Sequence, residues 1–282
     1  MQLPLLRSQR VLLLVAHPDD EAIGAGALLA QMGEPFVVHV TDGAPRDLSD
    51  AAAAGFATRE QYARARREES EAALRLAGIP PHHRFGLGFV DQESSFHLLH
   101  IVREIIALLH DLKPDCILTH PYEGGHPDHD STAWAVHMAT QLAGFAKRAP
   151  PPVFEFTSYF NRGGRMITGD FLPHAHAAAV THALSPMERR LKQEMFARFV
   201  TQQKVLSQFP LEIERYRAAP AYDFSRAPHP GRLHYEHFFW GVTGAQWRAL
   251  ARQAQLALQF EPEQQVGYRG DRRNDDCIAS TP

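Results

Sequence analysis

Short apolar runs alternate with helix-like patterns along much of the chain, and this alternation narrows the fold more than any other feature. VLLLVA (residues 11–16), PFVVHVT (35–41), RFGLGF (84–89), DCILTH (115–120) and residues 153–160 read as strands. The first is apolar throughout, as a strand covered on both faces must be. Helical patterns fall between them at 24–32, 59–77, 94–112 and 130–145, while the small-residue stretch 51–57 reads as a loop or a weak helix. In 94–112, Phe96, Leu99, Val102, Ile105, Ile106 and Leu109 share one face, and Pro114 follows the end. Strands separated by helices imply a mostly parallel sheet with right-handed crossovers, whose ligands sit beyond the carboxyl ends of the strands.

The expected fold class is therefore α/β: a Rossmann-like, mostly parallel sheet with helices on both faces and an elaborated C-terminal segment. After Pro186 the texture changes: 187–209 reads as one long helix, Pro, Tyr, Phe and Trp become dense after Pro210, and 247–260 reads as a last helix. A single domain over residues 1–265 is expected, followed by a flexible tail over 266–282. At 282 residues, 44% hydrophobic and 22% charged, the chain can bury a sizeable core. A net charge of −3 offers no basic field, so nucleic acid is not an expected partner. The arginines of 59–75 are interleaved with Glu60, Glu68, Glu69 and Glu71, the pattern of a solvated helix face. Two cysteines, Cys116 and Cys277, make no disulfide framework. No apolar run approaches the ~20 residues of a membrane span. MQLPLLRSQR is too short in its apolar part, and broken by Arg7 and Arg10, to be a secretory signal. A cytoplasmic protein without a transmembrane segment is expected, with room for a homo-oligomer.

Two segments follow strands and concentrate histidine and acid: AHPDDE at 16–21 and HPYEGGHPDHD at 120–130. Each holds a His-Pro-Asp and a candidate ligand three residues after a histidine, His17 with Asp20 and His126 with His129. At a helix start that spacing puts two side chains on nearly the same side. Asp19 and Asp20 then point ~100° apart and cannot do the same job. So many carboxylates at the exit of a buried strand repel one another, and a divalent cation would relieve them. Two imidazoles and one carboxylate suit Zn2+ first, with Fe2+ or another divalent ion as alternatives, and leave a position for water. A carboxylate outside the ligand set could take that water's proton, and a nearby His could stabilise developing charge.

The intact AHPDDE and the HPDH of residues 126–129 resemble the two motifs of the LmbE-like (PIG-L) family of metal-dependent N-deacetylases. The resemblance implies that His17, Asp20 and His129 bind zinc and that Asp19 is the general base. It implies His126 as the stabiliser of the tetrahedral oxyanion, with Asp128 orienting it. RREESEAALRLAG maps Arg66, Glu69, Ala73 and Gly78 onto a family helix, making Arg66 a candidate substrate contact. Two positions depart from the family pattern. Phe199 stands where a late-helix His-x-Ser-Gln signature begins, and Gly124 stands where some members carry a Tyr, with Tyr122 close by.

Other residues are weighed against plainer roles. His120 and His137 read as structural, His120 alternatively as holding a ligand in orientation. Glu21 reads as a hydrogen-bond acceptor or helix cap. A second metal site at His174 and His176 has only a His-x-His in its favour. The aromatic segment 227–244 reads as packing, or else as a pocket wall using His234, Tyr235 and His237. Arg162 and Arg165 could meet an anionic substrate. The reading that results is zinc-dependent hydrolysis of an acetamide on an amino-sugar-like substrate, with a small N-acetylated sugar or glycoconjugate as partner. Its rivals are an amidase for a larger acyl group and an inactive, metal-stabilised glycan binder. A dinucleotide-dependent dehydrogenase would need a glycine turn directly after the first strand, and Gly24-Ala25-Gly26 comes too late.

Overall fold

The computed structural model describes residues 9–144, 149–238 and 240–259, so the expected tail at 266–282 and Cys277 lie outside the described residues. Nine strands are described: β1 Arg10–Val15, β2 Glu34–Pro45, β3 Arg84–Asp91, β4 Cys116–Thr119, β5 Val153–Phe156, β6 Tyr159–Arg162, β7 Arg165–Thr168, β8 Val180–Ala183 and β9 Ile213–Ala218. The α-helices are α1 Asp20–Leu29, α2 Ser49–Ala53, α3 Arg59–Leu76, α4 Leu98–Leu112, α5 Pro127–Leu142, α6 Pro186–Phe196, α7 Gln203–Leu206 and α8 Gly244–Gln259. The main sheet runs β3-β2-β1-β4-β5-β9-β8. Its first five strands are parallel, and β9 and β8 extend it antiparallel.

β1 is the hub. Val11, Leu13 and Val15 face one core cluster with α1, α3 and α6, while Leu12 and Leu14 face another with α4, α5 and α8. All five are fully buried, which is why VLLLV carries no polar alternation. The chain leaves β1 towards β2 and β3 on one side, and β4 lies on the other. The crevice between the ends of β1 and β4 is thus the switch point at which open α/β sheets hold ligands.

Several elements differ from the sequence reading. α1 begins at Asp20, inside the acidic motif, rather than at residue 24. It is broken at Ala25 (φ −145°), and the broken turn is filled from outside: Lys192 Nζ donates to the Ile23 carbonyl (2.8 Å), and the Ala27 N–H donates to Glu214 Oε1 (2.9 Å). Lys192 and Glu214 also pair with each other at 3.1 Å, almost wholly buried. Residues 94–96 form a 3₁₀ turn that leaves Phe96 53% exposed, so the buried face of α4 begins with Leu98 and Ile101 instead. The stretch 153–160 splits: β5 stays in the sheet and β6 turns out to pair with β7. The expected helix 187–209 stops at Phe196, followed by a 3₁₀ turn and α7. β8 and β9 carry too many polar residues to show an apolar run.

Candidate metal centre

The loop after β1 brings His17 to the start of α1. The His17 N–H donates to Asp20 Oδ2 (2.8 Å), which folds the Asp20 carboxylate back over the loop. α5 enters from the other side of the crevice. Its cap is His126, whose Nδ1 accepts the Asp128 N–H (3.1 Å), and Pro127 follows in the first turn. This places His129 one turn in. His17 Nδ1 then lies 3.2 Å from Asp20 Oδ2, His129 Nε2 lies 3.2 Å from Asp20 Oδ1, and the two ring nitrogens are 3.2 Å apart. Donors on a tetrahedral zinc with ~2.0–2.1 Å bonds sit ~3.3 Å apart, so the set fits a divalent ion of that size. All three side chains are buried.

The far side of each imidazole is engaged, as in metal sites whose ligands are held in orientation. His129 Nδ1 pairs with Ser158 Oγ at 3.1 Å. His17 Nε2 lies 3.0 Å from Asp91 Oδ1 and 3.3 Å from Asp128 Oδ2. Burial works against a charged His17, but the surrounding Asp91, Asp128 and Asp20 carboxylates outweigh it and lift its pKa. Burial likewise opposes the Asp20 charge, and the imidazoles of His129 and His120 overcome it and hold the carboxyl well below its usual range. His120 stacks on His129 with ring centres 4.0 Å apart. Its Nε2 lies 3.1 Å from the Ala16 N–H donor and 3.3 Å from Asp20 Oδ2.

Asp19 stands beside the donor set and outside it. Its backbone is at φ 135°, a region that strains any residue but glycine. The Asp19 N–H donates to Glu21 Oε2 (2.9 Å), and the Asp19 carbonyl accepts from Ala22 and Ile23. Glu21 is fully buried and is itself gripped by His39 Nε2 (3.0 Å) and the Ser70 hydroxyl (2.7 Å). Burial pushes the Asp19 carboxyl up to about 7, against the pull of Arg66. Arg66 is not a surface charge: it is 3% exposed and its Nη1 reaches Asp19 Oδ2 at 3.3 Å. Gly43 (φ 65°) makes room for it, since a Cβ there would come within 2.8 Å of Arg66 Nε and 2.9 Å of Pro18.

The His126 ring is edge-on to His17 at 4.5 Å. Burial and His17 keep its pKa well below the usual value, and because Nδ1 accepts a hydrogen bond the proton of the neutral ring resides on Nε2. The Asp128 carboxylate is 3.9 Å from His126 Nδ1 and accepts from the backbone of Gln92 (2.6 Å) and Ser94 (3.1 Å). Its backbone N–H, rather than its carboxylate, orients His126, and its carboxylate orients His17.

Sequence reasoning passed over Asp91, Ser158 and Tyr159. Asp91 ends β3, and an acid at a strand's carboxyl end beside the crevice was the available signal. Tyr159 opens β6 with its ring 5.2 Å from His129. Burial, then the charges of Asp20 and Asp19, raise its phenol well above the usual value, so it keeps its proton. Tyr122 is elsewhere, its hydroxyl donating to the Arg226 carbonyl among Tyr222, Phe224 and Trp247. Gly124 abuts Leu233, where a Cβ would come within 2.7 Å. Phe199 is fully buried in the core cluster with Met195 and Leu206. Among the described residues, the groups able to hold a metal are His17–Asp20–His129 and, across His17, His17–Asp91–His126–Asp128; His174 and His176 belong to neither.

Residues 12–140 match the family model described as PIG-L, GlcNAc-PI de-N-acetylase. Among curated proteins, the chain is similar to the 1D-myo-inositol 2-acetamido-2-deoxy-alpha-D-glucopyranoside deacetylase of Salinispora arenicola, 29% identical over 180 residues, 53% of this chain and 56% of that protein. It is also similar to the probable N-acetyl-alpha-D-glucosaminyl L-malate deacetylase 2 of Bacillus cereus, 32% identical over 138 residues, 46% of this chain and 60% of that protein. The chain thus spans little more than half the length of these relatives. A solved deacetylase of the teicoplanin biosynthesis pathway shares the fold, with a TM-score of 0.57 at 20% identity, over 74% of this chain and 96% of that one.

Proposed function

From the match of residues 12–140 to the PIG-L model of de-N-acetylases, we propose that this chain hydrolyses the acetamide of an N-acetylated amino sugar or glycoconjugate, releasing acetate and the free amine. One observation carries the reading: three donors about 3.2 Å apart, with a strained, buried carboxylate next to them that is not one of the three.

His17, Asp20 and His129 would hold a divalent ion, zinc by the donor chemistry. Bound there, the ion would polarise the amide carbonyl and lower the pKa of water. Asp19 takes the proton of the attacking water as the C–O bond forms. Arg66, paired to Asp19, holds that carboxylate in place. His126 donates its Nε2–H to the carbonyl oxygen as negative charge develops on it. As the C–N bond breaks, the leaving nitrogen takes the proton that Asp19 accepted. Asp91 and Asp128 keep the His17 ring turned so that Nδ1 faces Asp20 and His129.

Metal analysis of the purified protein followed by an acetate-release screen over N-acetylated sugars tests the reading, with Asp19→Ala as control. Acetate release that needs both the ion and Asp19 is expected. A metal-loaded protein that releases no acetate from any N-acetyl sugar would contradict it.

A further inference from the structure

Four rings from the second half of the chain form an arc beside the metal centre, running from His129 to His126. Tyr159, at the start of β6, lies 5.2 Å from His129, and His234, in the 3₁₀ turn His234–His237, lies 5.3 Å from Tyr159. The Phe238 ring lies 5.2 Å from His234 and stacks on Trp240 at 4.5 Å, with 15° between the planes. Trp240 closes the arc, its ring centre 4.6 Å from that of His126. The backbone fixes both ends. The His234 N–H donates to the Gly124 carbonyl (2.8 Å) in the loop that carries His126. Past Trp240 the chain reverses at Gly241 (φ 80°), and the Val242 N–H donates to the Trp240 carbonyl (3.0 Å). A Cβ at Gly241 would lie 3.6 Å from the Gln92 carbonyl oxygen, so the reversal rests on the segment whose amides hold Asp128.

Core packing does not account for the last two rings. No apolar core cluster among the described residues includes Phe238 or Trp240. Phe238 is 47% exposed and Trp240 only partly buried, whereas the other two tryptophans, Trp134 and Trp247, are fully buried. Apolar rings left open beside a charged centre mark a surface that a ligand covers. Because this wall is open on its outer side, it meets the part of a substrate that projects from the centre rather than the acetyl methyl. In an N-acetyl amino sugar that part is the pyranose ring, whose C–H groups suit the negative face of an aromatic ring.

We propose that Trp240, stacked on Phe238, is a specificity-determining residue that packs against the pyranose ring and so favours acetamides carried on a sugar ring over acyclic ones. The inference rests on the deacetylase reading for what reacts at the metal centre. It deepens that reading by assigning the ring contact to residues that fall outside 12–140.

The test is calorimetric binding to the zinc-loaded Asp19→Asn protein, which cannot turn substrate over. The probes are methyl N-acetyl-β-glucosaminide and acetate, which has no ring to meet the wall. Trp240→Ala in that background should weaken the glucosaminide about tenfold, the effect of leaving roughly 50–60 Å² of apolar surface uncovered. Trp240→Phe should recover most of the loss, and acetate should bind within about twofold of its original affinity in both variants. A glucosaminide affinity that survives Trp240→Ala, an equal loss for acetate, no recovery in Trp240→Phe, or no glucosaminide binding at the outset would overturn the proposal. Turnover with Asp19 in place separates the two readings. Trp240-dependent sugar binding without acetate release sinks the deacetylase and leaves the wall. Acetate release from the glucosaminide that Trp240→Ala leaves unchanged sinks the wall and leaves the deacetylase.

Discussion

Asp19 is held in its strained conformation by residues far away in sequence. Glu21 accepts its N–H, and His39 on β2 and Ser70 on α3 fix Glu21 in turn. The strain of a non-glycine residue at φ 135° is of order 1–3 kcal/mol, so without the clamp the loop has reason to relax. Glu21→Ala should therefore lower kcat by ~10–100-fold with the metal content unchanged, and Glu21→Gln should recover part of the loss. A kcat in Glu21→Ala equal to that of the unsubstituted enzyme would show that Asp19 needs no such support. The grouping of His17, Asp20 and His129 was legible from sequence because two compact motifs carry them. The clamp and Asp91 were not, because each is a single residue on an element whose pairing only the fold reveals.

At the scale of elements, the broken turn of α1 is held from outside the helix. Lys192 and Glu214 insert between Ile23 and Ala27 where an unbroken helix would have bonded to itself. Gly24 allows α1 to lie against β5, since a Cβ there would overlap the Phe156 ring at 2.1 Å. Lys192→Met leaves Glu214 buried without its cation and the Ile23 carbonyl without its donor. It should cost ~3–5 kcal/mol of stability in denaturant titration. A cost under ~1 kcal/mol would mean that the pair is not buried as described. The parallel strands were readable from their apolar runs. β9 was not, because Glu214 and Arg217 satisfy their charges inside the protein: Glu214 with Lys192, and Arg217 with Glu155 (2.8 Å) and Glu123 (3.2 Å). The break after Phe196 was hidden for another reason. Phe199 continues an apolar pattern but enters the core from a 3₁₀ turn.

Across the whole molecule, the Arg217 cluster ties β5 and β9 to the loop leading to His126, with two acids facing one guanidinium. Burial pushes Glu123 up to about 8 and Glu155 up to about 7, Arg217 offsetting only part of it. Both therefore lie above their unfolded values near ~4.3. A raised acid contributes stability that is complete at low pH and is lost as pH climbs through the folded value. With a chelator present to remove metal linkage, the melting temperature should fall from pH 5 to pH 8.5. Glu123→Gln, which cannot ionise, should flatten that fall; identical slopes in the two proteins would refute the assignment. The outer extension of the sheet and the segment around His234 were the parts least legible in the sequence, since aromatic and polar residues there follow no single period.

The central claim is that one ion sits between His17 Nδ1, Asp20 and His129 Nε2. Anomalous diffraction from zinc-loaded crystals, collected on both sides of the zinc edge, tests it most directly. The account predicts a single strong peak ~2.0–2.2 Å from all three donor atoms. A peak on the opposite side of His17, among Asp91, Asp128 and His126, or no peak within bonding reach of His129, would contradict it.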